Sequence, residues 1–171
     1  MHKVFGIKEN VEYRDREGAY VILMHDNRVG IIQTPKGFFL LGGGLENSES
    51  HMECIERECI EEAGCIVSVK DKICSAETYC MHEKIGYFHP IQTYYIGELI
   101  AKVSEPMENE HVLLWAEFDE IKGKMFAEMQ NWALEQVWSE VVKWNLMLIS
   151  CKALSGGQRF WTRRTALPRR Q

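Results

Sequence analysis

The chain has 171 residues, 46% of them hydrophobic and 26% charged, with a formal net charge of −5. That size suits one domain with its own core, and the composition excludes general disorder. No apolar run approaches the roughly 20 residues a membrane-crossing helix needs, and the N-terminal MHKVFGIKENVEYRDREG lacks the apolar stretch of a secretory signal, so a soluble, cytoplasmic protein is expected.

The first predicted elements are two strands, Tyr20 to Met24 and Arg28 to Gln33, joined by a turn at Asp26-Asn27. Pro35 and Gly37 break the next run, Phe38 to Leu41 reads as a short apolar strand, and Gly42 to Gly44 reads as a flexible bend. A helix is predicted over Glu49 to Ala63, with Ser48 as N-cap and Gly64 as a left-handed stop. CIVSVKDKICSAETYC and HPIQTYYIGELIAKV are β-branched and aromatic enough for strands. EPMENE is a polar loop, and HVLLWAEFDEI gives a further strand leading into a turn. A second helix, about Phe126 to Leu148, sets Phe126, Met129, Ala133, Val137 and Val141 on one stripe that suits packing on a sheet. The expected class is α/β, with a mixed sheet between helices. The domain is expected over 1–150, followed by a loosely ordered basic tail over 151–171.

Six cysteines, Cys54, Cys59, Cys65, Cys74, Cys80 and Cys151, contain no C-x-x-C pair, which argues against a structural zinc site and for reduced thiols. From Lys152 onward there are six basic residues and no acid, so the body of the chain is strongly negative. Such a body repels nucleic acid, and any nucleic-acid contact falls to the basic tail.

The acidic residues concentrate in GGGLENSESHMECIERECIEEAGC, Gly42 to Cys65. On a helical wheel Met52, Ile55, Cys59 and Ala63 form a core stripe. Glu58, Glu61 and Glu62 fall in a neighbouring sector, related as i, i+3 and i+4, so their carboxylates converge. Arg57 can pair with Glu61 one turn on and reach back toward Glu49. An acidic helix face is by itself also explained as a solvated face, but Arg57 is the only cation in this helix to pair with it. Converging carboxylates make a hard, oxygen-rich site suited to Mg2+ or Mn2+, and the preceding glycines allow a carbonyl to turn inward. Lys36, just before the glycines, is a candidate for holding phosphate charge, and Phe39 is one of several aromatics that could stack on a base.

The residues Gly43, Glu49, Arg57, Glu58, Cys59, Glu61, Glu62, Gly64 and Cys65 match the pattern G-x5-E-x7-R-E-U-x-E-E-x-G-U, where U is aliphatic. The segment thereby resembles the signature of the Nudix hydrolase family. Every charged and glycine position agrees, both U positions are cysteine, and Leu41 stands where the family often has proline. The resemblance implies an α/β/α sandwich and hydrolysis of a nucleoside diphosphate linked to another moiety. A MutT-like nucleoside triphosphate pyrophosphohydrolase is the first expectation. ADP-ribose or dinucleoside polyphosphates are alternative substrates, and a nucleotide- or RNA-binding module with little activity is the alternative class. By position, Glu58, Glu61 and Glu62 bind the metal with help from the Gly42 carbonyl and an acid of the later loop, Glu110 ahead of Glu108. Glu58 is the first choice of base, with Glu61 and Arg57 beside it in the catalytic group. Gly43, Glu49 and Gly64 are structural. The implied partner is a nucleotide, a homodimer is one candidate assembly, and no membrane is involved.

Overall fold

A computed structural model describes residues 1–140, and Met1–Trp138 form one compact unit. Its strands are β1 (His2–Gly6), β2 (Arg14–His25), β3 (Arg28–Thr34), β4 (Gly37–Phe39), β5 (Leu41–Gly44), β6 (Cys65–His82), β7 (Gly86–Lys102) and β8 (Val112–Glu117). The helices are α1 (His51–Ala63), the short α2 (Phe118–Ile121), and α3, helical from 128 to the end of this unit at 138. The expected domain boundary near 150, the basic tail, Val141 and Cys151 lie outside the described residues.

The sheet is mixed. β6 and β7 form a long antiparallel hairpin, β7 lies parallel to β2, β1 lies parallel to β6, and β2 pairs antiparallel with β3 and β5. β3 carries β8 and β4. The β2–β3 turn falls where the sequence put it: Asp26 and Asn27 both take positive φ, 47° and 62°, as a two-residue hairpin requires. Strand alternation then sorts the core. Ala19, Val21 and Leu23 of β2 meet Cys54, Ile55, Cys59 and Ala63 of α1 on one face. Helix α3 supplies buried Met129, Ala133, Leu134 and Val137, and Gln130 Oε1 accepts from the Leu40 backbone N–H at 3.0 Å. The result is the α/β/α sandwich implied above.

Three local differences matter. α1 begins at His51, two residues later than predicted, because Asn47 and Ser48 take positive φ and cannot start a helix. Ser50 is the cap, in a reciprocal box with Glu53, so Glu49 stands in the preceding loop. Gly42 to Gly44 are not a bend but strand β5, and Phe126 is 65% exposed instead of joining the buried stripe, its ring packed 5.1 Å from that of Phe39. Gly64 does end α1 in the left-handed conformation at φ 61°. Cys54, Cys59, Cys65, Cys74 and Cys80 are free thiols. No helix among the described residues is long and apolar enough to cross a membrane.

Candidate active site

The site is assembled where α1 meets the glycine strand β5. Gly43 has no Cβ, and one placed there would lie 2.1 Å from Glu58 Oε1, so the glycine lets the Glu58 carboxylate lie against the strand backbone. Gly42 donates its N–H to Glu62 Oε2 at 3.1 Å. The glycine strand thus approaches two box carboxylates closely; a side chain at Gly43 would displace Glu58, and one at Gly42, at φ 129°, would clash with the β2 backbone at Ala19 and Tyr20.

Arg57 organises the remaining acids. Its Nε and Nη2 donate to the two oxygens of Glu49 at 2.8 and 3.0 Å, a forked pair that fixes the loop before α1 to the helix. Glu49 also accepts from the Glu46 N–H, and the Arg57 hydrogen bonds hold its carboxyl down at about 2. Nη1 reaches Glu58 Oε1 at 2.9 Å and Glu61 Oε2 at 3.4 Å, and Nη2 reaches the Gly44 carbonyl. Both pairings expected of Arg57, forward to Glu61 and back to Glu49, are present.

Among the described residues no cationic side chain pairs with Glu62. Burial first, and then the charges of Glu58, Glu108 and Glu61, push its carboxyl up to about 8 against the pull of the Gly42 N–H. Among the described residues, no three His, Cys, Asp or Glu side chains surround a common point as they would around a bound ion. Instead Glu58 and Glu61 lean on Arg57 while Glu62 leans on Gly42. The donor chemistry fits a hard divalent cation nonetheless: oxygen ligands on successive turns of one helix, with more negative charge than Arg57 neutralises. Gly42 contributes its N–H to Glu62 here.

The later loop is tied to the same helix. Met107 donates its N–H to the Glu61 carbonyl at 2.7 Å, and Val103 and Ser104 donate to the Gly64 carbonyl. This anchoring brings Glu108 close enough to act on Glu62, while its carboxylate accepts from or pairs with His111 Nε2 at 2.8 Å. Glu110, preferred from the sequence, lines the same cavity of about 300 Å³ as Lys36, Phe39, Glu62 and Glu108. A second cavity, about 330 Å³, is lined by Arg16, Tyr20, the β5 glycines, Glu58, Glu62, Phe88 and Gln92. A larger hollow of about 590 Å³ beneath the loop contains none of the box carboxylates. Arg16, Tyr20 and Gln92 were not singled out from the sequence, where nothing marks them as neighbours of the box.

A family model described as NUDIX domain matches residues 11–136. No curated protein matches the chain. Among solved structures, a NUDIX hydrolase from Nitrosomonas europaea superposes with a TM-score of 0.64 at 16% identity, covering 74% of this chain and 90% of that one. A MutT protein from Methanosarcina mazei Go1 gives 0.62 at 18% identity, covering 77% and 98%. A MutT NUDIX hydrolase from Burkholderia pseudomallei gives 0.58 at 20% identity, covering 72% and 98%. At these identities the structural likeness speaks for the fold.

Proposed function

The chain belongs to the Nudix family and is a Nudix hydrolase, and from that premise we propose that it cleaves the diphosphate bond of a nucleoside diphosphate linked to another moiety, with nucleoside triphosphates as the leading substrate class. Mg2+ or Mn2+ is the cofactor in this reading. The observation that supports it is the Arg57-centred arrangement that presents Glu58, Glu61 and Glu62 along the glycine strand.

Glu58, Glu61 and Glu62 would hold the dication, with Glu108 or Glu110 contributing from the loop. When bound, the dication polarises a phosphoryl oxygen and lowers the pKa of an attacking water. Arg57 occupies Glu58 Oε1, so Glu58 Oε2 is the oxygen left to accept the water proton. The water oxygen then bonds to phosphorus as the bridging P–O bond breaks, and the departing phosphate keeps the electron pair. Lys36, on the wall of the Glu62 cavity, offsets the charge that develops there, and Phe39 on the same wall offers a ring to the base.

The test is a substrate panel of nucleoside triphosphates, ADP-ribose, NADH and dinucleoside polyphosphates with Mg2+ or Mn2+, with products identified. Dication-dependent release of a nucleoside monophosphate and pyrophosphate from triphosphates is expected. Absence of turnover across the panel, together with no calorimetric uptake of either dication, would refute the reading.

A further inference from the structure

The second cavity holds a recognition feature that the hydrolase reading does not use. In the β2–β7 and β2–β5 registers, Arg16 opposes Pro90, Gly18 opposes Gln92 and Gly44, and Tyr20 opposes Tyr94 and Gly42. These residues share the sheet face away from α1, because Ala19 and Val21 between them point into the α1 core. Between Arg16 and Tyr20, about 13 Å apart along the strand by its rise per residue, the floor consists of Gly18, Gly42 and Gly44. The Tyr20 ring lies over Gly18, 3.2 Å from where a Cβ there would sit. The Arg16 guanidinium leans forward over Gly44, where an added Cβ would lie 2.2 Å from its Nε.

Arg16 has no side-chain hydrogen bond or ion pair among the described residues. At the other end, hydrogen bonding fixes which way Tyr20 points its proton. Tyr94 is fully buried and donates its hydroxyl to Gln92 Oε1 at 2.5 Å, a length that fits O–H···O. Gln92 Nε2 then donates to the Tyr20 hydroxyl at 3.3 Å. Reversing the amide would strand the buried Tyr94 proton, which costs more than leaving an O–H open to a cavity. Tyr20 is therefore an acceptor toward Gln92, and its own proton is free to serve a ligand.

A free guanidinium and an oriented hydroxyl, above a glycine floor in a cavity that also reaches Glu58 and Glu62, make a site for an oxyanion. We propose that Arg16 and Tyr20 bind a phosphate of the substrate beyond the scissile pair, and so select nucleoside triphosphates and longer polyphosphates over two-phosphate substrates such as ADP-ribose. The proposal rests on the hydrolase reading for the position of the scissile bond.

The experiment compares wild type, Arg16→Ala and Tyr20→Phe, with melting temperatures confirming that each is folded. In turnover with Mg2+, each variant is expected to lower kcat/KM for a nucleoside triphosphate about 10- to 100-fold, the value of a hydrogen bond to a charged group, mainly through KM. ADP-ribose turnover should change less than about threefold. Equal losses for both substrates overturn the selectivity claim. Should wild type turn over nothing, the hydrolase reading fails, and calorimetric titration with an α,β-methylene nucleoside triphosphate still decides this one. Tighter binding to wild type than to both variants supports the pair; equal affinity, or no binding to any of the three, overturns it.

Discussion

Glu62→Gln separates the charge of this carboxylate from its shape. Glutamine keeps an oxygen for the Gly42 N–H, 3.1 Å from Glu62 Oε2, but carries no charge. In the native chain Glu62 stays protonated up to about pH 8, whereas in the unfolded chain it ionises above 4.5. Across that window the unfolded state binds fewer protons, so this group's contribution to stability is lost as pH rises from 4.5 toward 8. At about 1.4 kcal/mol per tenfold change in proton affinity, the full displacement gives an upper bound of about 5 kcal/mol. Partial contact with solvent screens the carboxylate and leaves roughly 2 kcal/mol. In EDTA, Glu62→Gln should unfold at the same urea midpoint as wild type near pH 5, and be more stable by about 2 kcal/mol near pH 8.5. Its turnover with Mg2+ should fall by orders of magnitude at both pH values. A variant no more stable than wild type at pH 8.5 would refute the argument that ionised Glu62 is penalised by burial and neighbouring charge, and near-wild-type turnover would refute the ligand role.

Gly43→Ala should push Glu58 off the strand, because the new methyl would sit 2.1 Å from Oε1; a misplacement of this kind lowers kcat about 10- to 100-fold, and unchanged kcat would show that Glu58 acts from elsewhere. Arg57→Lys cannot form the fork to Glu49, so urea denaturation should show a loss of about 1–2 kcal/mol alongside reduced turnover, and an unshifted midpoint would contradict the anchoring role. Ser50→Ala removes the α1 cap and should cost about 1 kcal/mol with kcat retained; a stability equal to wild type would mean the Glu53 half of the box suffices.

The helix chemistry was legible because it is local. Residues three, four and eight apart decide where Glu58, Glu61, Glu62 and Arg57 stand and that Arg57 can meet Glu49. The β2–β3 turn was legible for the same reason, since Asp26-Asn27 suits left-handed backbone. Glycine misled at β5: three in a row read as a bend, but their role is to let carboxylates approach a paired strand. The helix start was misplaced because Ser48 and Ser50 are equally good caps on paper, and the positive φ of Asn47 and Ser48 decides between them. The Met107–Glu61 backbone bond that sets the loop against α1, with both Glu108 and Glu110 on the wall of the Glu62 cavity, was not legible because it joins residues far apart in sequence. The Tyr20–Gln92–Tyr94 chain was out of reach, because it depends on parallel pairing of strands about seventy positions apart, and β1 likewise gains its meaning from β6.

The concentration of like charge around α1 follows from an uneven distribution of partners. Arg57 serves Glu49 with a fork, and Glu58 and Glu61 with a single nitrogen shared between them. Among the described residues Glu108 has His111, and Glu62 has only a backbone N–H. The contact to Glu49 is the bidentate one, so a competing cation takes Glu58 and Glu61 from Nη1 more readily than it takes Glu49 from the fork. The loop–helix junction can therefore hold while the carboxylates facing the cavity change partner. Glu62 adds the bias: a group held protonated near neutrality by burial and, after that, by its acidic neighbours gains most from an arriving positive charge, and gives up its proton in exchange. One arginine suffices to assemble the site but leaves it short of positive charge, and that shortfall favours dication entry.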